Sequence, residues 1–118
     1  MTEHNPVAIE GAIRDCANRI GKGVAVCDAR YGEYLTADRE YDQAFARAYM
    51  SHEGPAHEKK YGAELATQDE RLRRDVADAA YRHADRLAKA LTEELRSWQS
   101  VSASVRAMYQ VAGRGEGA

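Results

Sequence analysis

From residue 65 to residue 112 no proline interrupts the chain, and no glycine occurs between Gly62 and Gly113. Along that stretch apolar or small residues recur at Leu72, Val76, Ala80, His83, Leu87, Leu91, Leu95, Trp98, Ser102 (beside Val101), Val105, Tyr109 and Ala112. The steps average about 3.64 residues, the period of an almost straight α-helix. One long amphipathic helix is therefore expected, and a helix of that length must find its cover from other helices.

The first half of the chain offers one. Asn5 followed by Pro6 reads as a helix start, because an Asn side chain caps free backbone amides and proline suits the first helical position. Ile13, Ala17, Ile20, Val24, Cys27, Tyr31, Tyr34, Asp38, Tyr41, Phe45 and Ala48 then follow alternating steps of three and four, a heptad seam. The phase survives Gly21-Lys22-Gly23, although two interior glycines cost roughly 1 kcal/mol each relative to alanine. A loop there would have no reason to preserve phase. A single helix over about 6–52 is favoured over two helices broken at 21–23.

Gly54 and Pro55 end that helix, glycine as a left-handed terminator and proline as a block to continuation. The second helix is placed at about 56–112, with Gly62 as a weak point and 113–118, rich in glycine, as a flexible tail. The fold class is all-α: two long antiparallel helices in a hairpin, one domain over 1–118. Turning at Pro55 sets Asp38 near Leu72, Cys27 near His83, Ile20 near Leu91 and Ile13 near Trp98. Each apolar stripe is wider than one partner covers, with Ile9, Cys16, Leu35 and Tyr49 beside the seam of the first helix. Two hairpins closing into a homodimeric four-helix bundle is the simplest solution. The alternative is a three-helix bundle in which residues 6–20 fold back at the 21–23 break.

Composition agrees with paired helices. Of 118 residues 31 % are charged and only one is Phe and one Trp, so thick cores are out of reach. A net charge of -2 gives no global field to recruit nucleic acid or an anionic membrane. Cys16 and Cys27, eleven residues apart, lie about 16 Å apart along one helix, beyond disulfide reach. They read as reduced apolar side chains of a cytoplasmic protein. There is no apolar run of membrane-spanning length, and Met1–Pro6 lacks the basic and apolar regions of a signal peptide.

Chemistry-bearing residues are few, and each has a plainer reading. His52, Glu53, His57 and Glu58 at the turn are the residue types that bind zinc, but no cysteine joins them and no helical His-x-x-x-His pair exists. A solvated turn is favoured, and neither metal nor cofactor is expected. His83, on the apolar face, reads as a packed residue, and Asp38 in the seam as the partner of an arginine among Arg71, Arg73 and Arg74. Tyrosines beside the first seam read as packing rather than as platforms for bases. No catalytic residues are assigned.

Two surfaces remain as binding candidates. The end of the second helix carries Trp98, Val101, Val105, Met108 and Tyr109 among few charges, the residue types that dominate protein interfaces. Arg82, Arg86 and Lys89 form a basic stripe with spacing suited to phosphates, and with Arg96 and Arg106 they make the nucleic-acid alternative. Asp78 and Asp85, four residues before Arg82 and Lys89, already offer those bases local partners.

Several runs are similar to a family of small helical proteins encoded by temperate phages and prophages, especially of actinobacteria, often near recombination or replication genes. They are Asp38-Arg39-Glu40-Tyr41-Asp42-Gln43-Ala44-Phe45-Ala46-Arg47-Ala48-Tyr49, Glu53-Gly54-Pro55, Lys60-Tyr61-Gly62-Ala63-Glu64-Leu65-Ala66-Thr67, Ala80-Tyr81-Arg82-His83-Ala84-Asp85-Arg86 and Leu95-Arg96-Ser97-Trp98-Gln99-Ser100-Val101. The resemblance covers about 38–112 and carries no catalytic motif. It implies a phage-encoded protein of unknown function in the bacterial host cytoplasm, accessory to DNA metabolism. The expected role is a non-enzymatic interaction protein that homodimerises and contacts a phage or host protein. DNA binding in phage recombination or replication is the alternative.

Overall fold

The computed structural model describes residues 5–116, with side chains up to Gly113. Helix α1 spans Pro6–Ser51. Its start is capped as the Asn5-Pro6 pair predicts: the Ala8 N–H donates to Asn5 Oδ1 at 2.8 Å and the Ile9 N–H to the Asn5 carbonyl at 3.1 Å. The helix runs without a break through Gly21 and Gly23, so the fold-back at 21–23 is not adopted. In-phase burial on both sides of the glycines outweighs their propensity cost.

Gly54, with φ +151°, turns the chain after α1 in a conformation that side-chain-bearing residues rarely adopt. A 3₁₀ turn, Ala56–Glu58, leads into α2, Lys59–Ala66, and then α3, Gln68–Glu116. The expected second helix from 56 is thus two helices, and the break lies at Thr67 rather than at Gly62. Thr67 leaves helical geometry at φ -118° and ψ 24°, with its N–H 3.4 Å from the Glu64 carbonyl. Its hydroxyl donates to the Ala63 carbonyl at 2.7 Å, and both residues are buried. The hydroxyl thereby satisfies a carbonyl that the interrupted ladder would leave bare. At the other end α3 continues through Gly113, where a tail was expected, to Glu116; residues 117 and 118 lie outside the described residues.

The chain divides into two compact units, one combining residues up to 25 with those from 86 onward, the other Val26–Asp85. Within each, α1 and α3 run antiparallel. In the first, the Cys16 thiol meets the Leu91 carbonyl at 3.2 Å and Arg19 meets Glu94 at 3.4 Å. In the second, the Tyr31 and Tyr81 rings lie 5.1 Å apart and Asp38 meets Arg74 at 4.0 Å. These contacts fall within about a turn of the register read from the sequence. The helical pair and the all-α class are as expected.

The face that α3 turns inward is not the expected one along its whole length. Buried or half-buried positions run Arg74, Ala77, Tyr81 and Ala84 in the second unit, and Ala88, Leu91, Leu95, Trp98, Ser102 and Val105 in the first. These steps alternate three and four, a period of 3.5, which keeps a seam against a partner helix. The expected positions coincide with it from Leu91 to Val105, and beyond that Tyr109 and Ala112 keep the phase but are exposed. Before Leu91 the expected positions are one residue out, about 100° around the helix, and two residues out at Leu72. Hence Leu72, Val76 and Leu87 are exposed, as is His83, which was expected to pack. Ile9 and Cys16, read as flanking surplus on α1, are in contrast almost fully buried.

Candidate functional site

Asn5 fixes where α1 begins, and the 3.5 repeat then turns Ile9 and Cys16 inward, Cys16 against the middle of α3. Cys16 is 1 % exposed and its Sγ lies 3.2 Å from the Leu91 carbonyl and 3.8 Å from Glu94 Oε2. Burial, reinforced by the neighbouring Glu94 carboxylate, pushes the thiol pKa up, the opposite of what a nucleophilic cysteine needs. It acts as a packed donor.

The expected interaction residues divide along this end of α3. Trp98, Val101 and Val105 are half-buried and continue the inward seam. Met108 and Tyr109 are 70 % and 61 % exposed, beside Val111, which the sequence reading did not select, at 68 %. The signal for Val111 was present: it lies three residues after Met108 on a stretch whose one charge between Trp98 and Gly113 is Arg106. Two shallow apolar grooves sit here, one lined by Val105, Met108, Tyr109 and Ala112, the other by Ala107, Met108, Val111 and Ala112. From Arg106 to Gly113 every position is exposed. Such a surface can take up an apolar partner face, but it offers no converging polar groups for a small substrate.

Three of the five residues of the basic set are already engaged. In the second unit Arg82 Nε donates to both Asp78 oxygens, at 3.1 and 3.2 Å, and that carboxylate raises the guanidinium's pKa. In the first unit Arg96 pairs with Glu93 at 2.8 Å, Lys89 is also engaged, and Arg86 and Arg106 are exposed. Phosphate contact through Arg82 or Arg96 would have to displace a carboxylate.

Around the turn, the His52 ring packs where a side chain on Gly62 would stand: a Cβ there would come within 2.7 Å of His52 Cε1. His57 and Glu58 are exposed, 3.9 Å apart. Among the described residues no three His, Cys, Asp or Glu side chains converge as metal ligands do. Tyr41, Phe45 and Tyr49 pack in turn along α1, with Tyr41 and Phe45 6.1 Å and Phe45 and Tyr49 6.3 Å apart. Arg74 lies over the Tyr41 ring at 4.5 Å while also reaching Asp38, so the seam carboxylate has the arginine partner expected of it. Among the described residues no helix is long and apolar enough to cross a membrane. No protein-family model, no curated protein and no solved structure matches the chain.

Proposed function

We propose that this is a non-enzymatic helical interaction protein, a homodimer that contacts another protein through the end of α3. The observation that carries the reading is the exposed apolar stretch around Met108, Tyr109 and Val111, on a helix with a single charge over those turns. A solvated helix does not require Trp, Met, Tyr and Val there, and an interface does. Trp98, Val101 and Val105 hold the helix in place, and Met108 and Tyr109 supply the contact. The resemblance over 38–112 sets this role in a bacterial host's cytoplasm, as a phage-encoded accessory protein acting on a phage or host protein.

The test is affinity capture from host lysate with the intact chain beside a Met108→Glu, Tyr109→Glu variant. A specific protein retained by the first and lost by the second is expected; equal retention rejects this surface. Trp98→Ala is a poorer control, because that side chain is half-buried and its loss disturbs packing. DNA binding is the competing reading. A gel shift at low salt separates the two, since phosphate contacts weaken steeply as salt rises.

A further inference from the structure

The second unit leaves a face of α3 open that the reading above does not use. Leu72 and Val76 are 62 % and 61 % exposed, and Ala79 and His83 are exposed with them. Their steps of four, three and four are those of a coiled-coil seam. On the same helix Arg74, Ala77, Tyr81 and Ala84 form the seam that faces inward, about 150° away. The larger aliphatic side chains are on the open seam, while the occupied one is small, aromatic or charged. Two heptad seams on nearly opposite faces let a second helix seat on the open one without meeting the helix on the inward one. Here one neighbour is present.

The occupant follows from area and spacing. The chain exposes 8904 Å² at a mass of 13.1 kDa, where a compact protein of that mass exposes about 6,400 Å². The surplus, about 2,500 Å² per chain, covers the roughly 1,000 to 2,500 Å² that an obligate dimer removes from each partner. The four-three-four spacing reads the same in both directions. An antiparallel copy related by a two-fold axis beside Ala77 therefore sets Leu72 against His83 of the second copy and Val76 against its Ala79, large against small. Asp75 and Arg82, which share one flank of the seam, are already paired within the chain, Asp75 with Arg74 at 3.3 Å and Arg82 with Asp78 at 3.1 Å, so that flank brings no unpaired charge to the contact.

We infer that a second copy of this chain seats on the Leu72, Val76, Ala79 and His83 face of α3, antiparallel, leaving the Met108 and Tyr109 surface free for a different protein. This rests on the homodimer proposed above and adds where the two copies meet. Sedimentation of the intact chain is compared with a Leu72→Glu, Val76→Glu variant and a Met108→Glu, Val111→Glu variant, helicity being followed by circular dichroism. All four positions are exposed, so the helices are expected to survive. The wild type is expected at twice the chain mass, the first variant at one chain mass with its dimer weakened by at least about a hundredfold, and the second unchanged.

A monomeric wild type removes the homodimer itself. A dimer that survives the first variant, or that the second variant abolishes while the first does not, removes the seat and leaves the homodimer standing. A second measurement does not depend on stability: Leu72→Cys and His83→Cys chains are mixed and oxidised. The mixed disulfide is expected to exceed both disulfides formed between like chains. An excess of Leu72→Cys paired with itself overturns the antiparallel seat.

Discussion

His52 and Gly62 show what a single position decides. Glycine inside α2 is read from sequence as a weak point, and replacing it by alanine in an ordinary helix gains about 1 kcal/mol. Here the His52 ring fills the space, and an added methyl overpacks it at about 1 to 3 kcal/mol. The clash wins, so Gly62→Ala is expected to lower stability in urea unfolding. In a His52→Ala background the same substitution is expected to raise it. A destabilisation that persists without the imidazole would show that the ring is not the cause. Cys16 gives a second test, with the sign set by burial. Its folded-state pKa lies above the ordinary thiol value of 9.0, so the neutral thiol contributes fully at lower pH. That contribution is lost as pH rises past 9.0 and through the raised folded-state value. Relative to Cys16→Ala, the wild type's Tm advantage is expected to hold at neutral pH and shrink above that value. An advantage that does not change with pH would mean the thiol is not titrating in its buried site.

At the scale of the helices, the start of α1, its passage through two glycines and its end at Gly54-Pro55 were legible because each depends on local chemistry. The Asn5 cap, the conserved phase and the left-handed glycine are all written within a few residues. Because a Cβ on Gly21 or Gly23 would meet nothing within 4 Å, each alanine substitution is expected to stabilise by about 1 kcal/mol, read as a higher urea midpoint. A loss of stability would mean the two glycines serve something other than helix continuity. The break at Thr67 was not legible, since threonine is unremarkable inside a helix until its hydroxyl and its burial are known. The inward face of α3 was legible only from Leu91 to Val105. A straight-helix period and a paired-helix period agree over three turns and separate over six. Leu72 and Val76, the strongest apolar signals before Leu91, drew the reading onto the face that the partner helix does not occupy. The candidate site inherits the same limit: Trp98, Val101 and Val105 were chosen for their residue types and turned out to be half-buried, while exposed Val111 was passed over.

The whole chain exposes more surface than its mass requires, and that excess has a thermodynamic consequence. If two copies share it, folding and association are linked, and the folded state is favoured by mass action. Each tenfold rise in protein concentration then adds about 1.4 kcal/mol to the apparent stability of the dimer. For chains of about this length 1 kcal/mol corresponds to several degrees in Tm. Thermal melts across a hundredfold concentration range are therefore expected to shift upward together with the dimer fraction seen in sedimentation. The Leu72→Glu, Val76→Glu variant is expected to melt lower and to lose the concentration dependence, because its unfolding no longer includes dissociation. The Met108→Glu, Val111→Glu variant should keep it, since that surface is reserved for another protein. A wild-type Tm that does not move with concentration would mean that one chain folds alone with its surplus apolar surface in water. The reason for Leu72, Val76 and Val111 on open faces would then have to be a different protein at each.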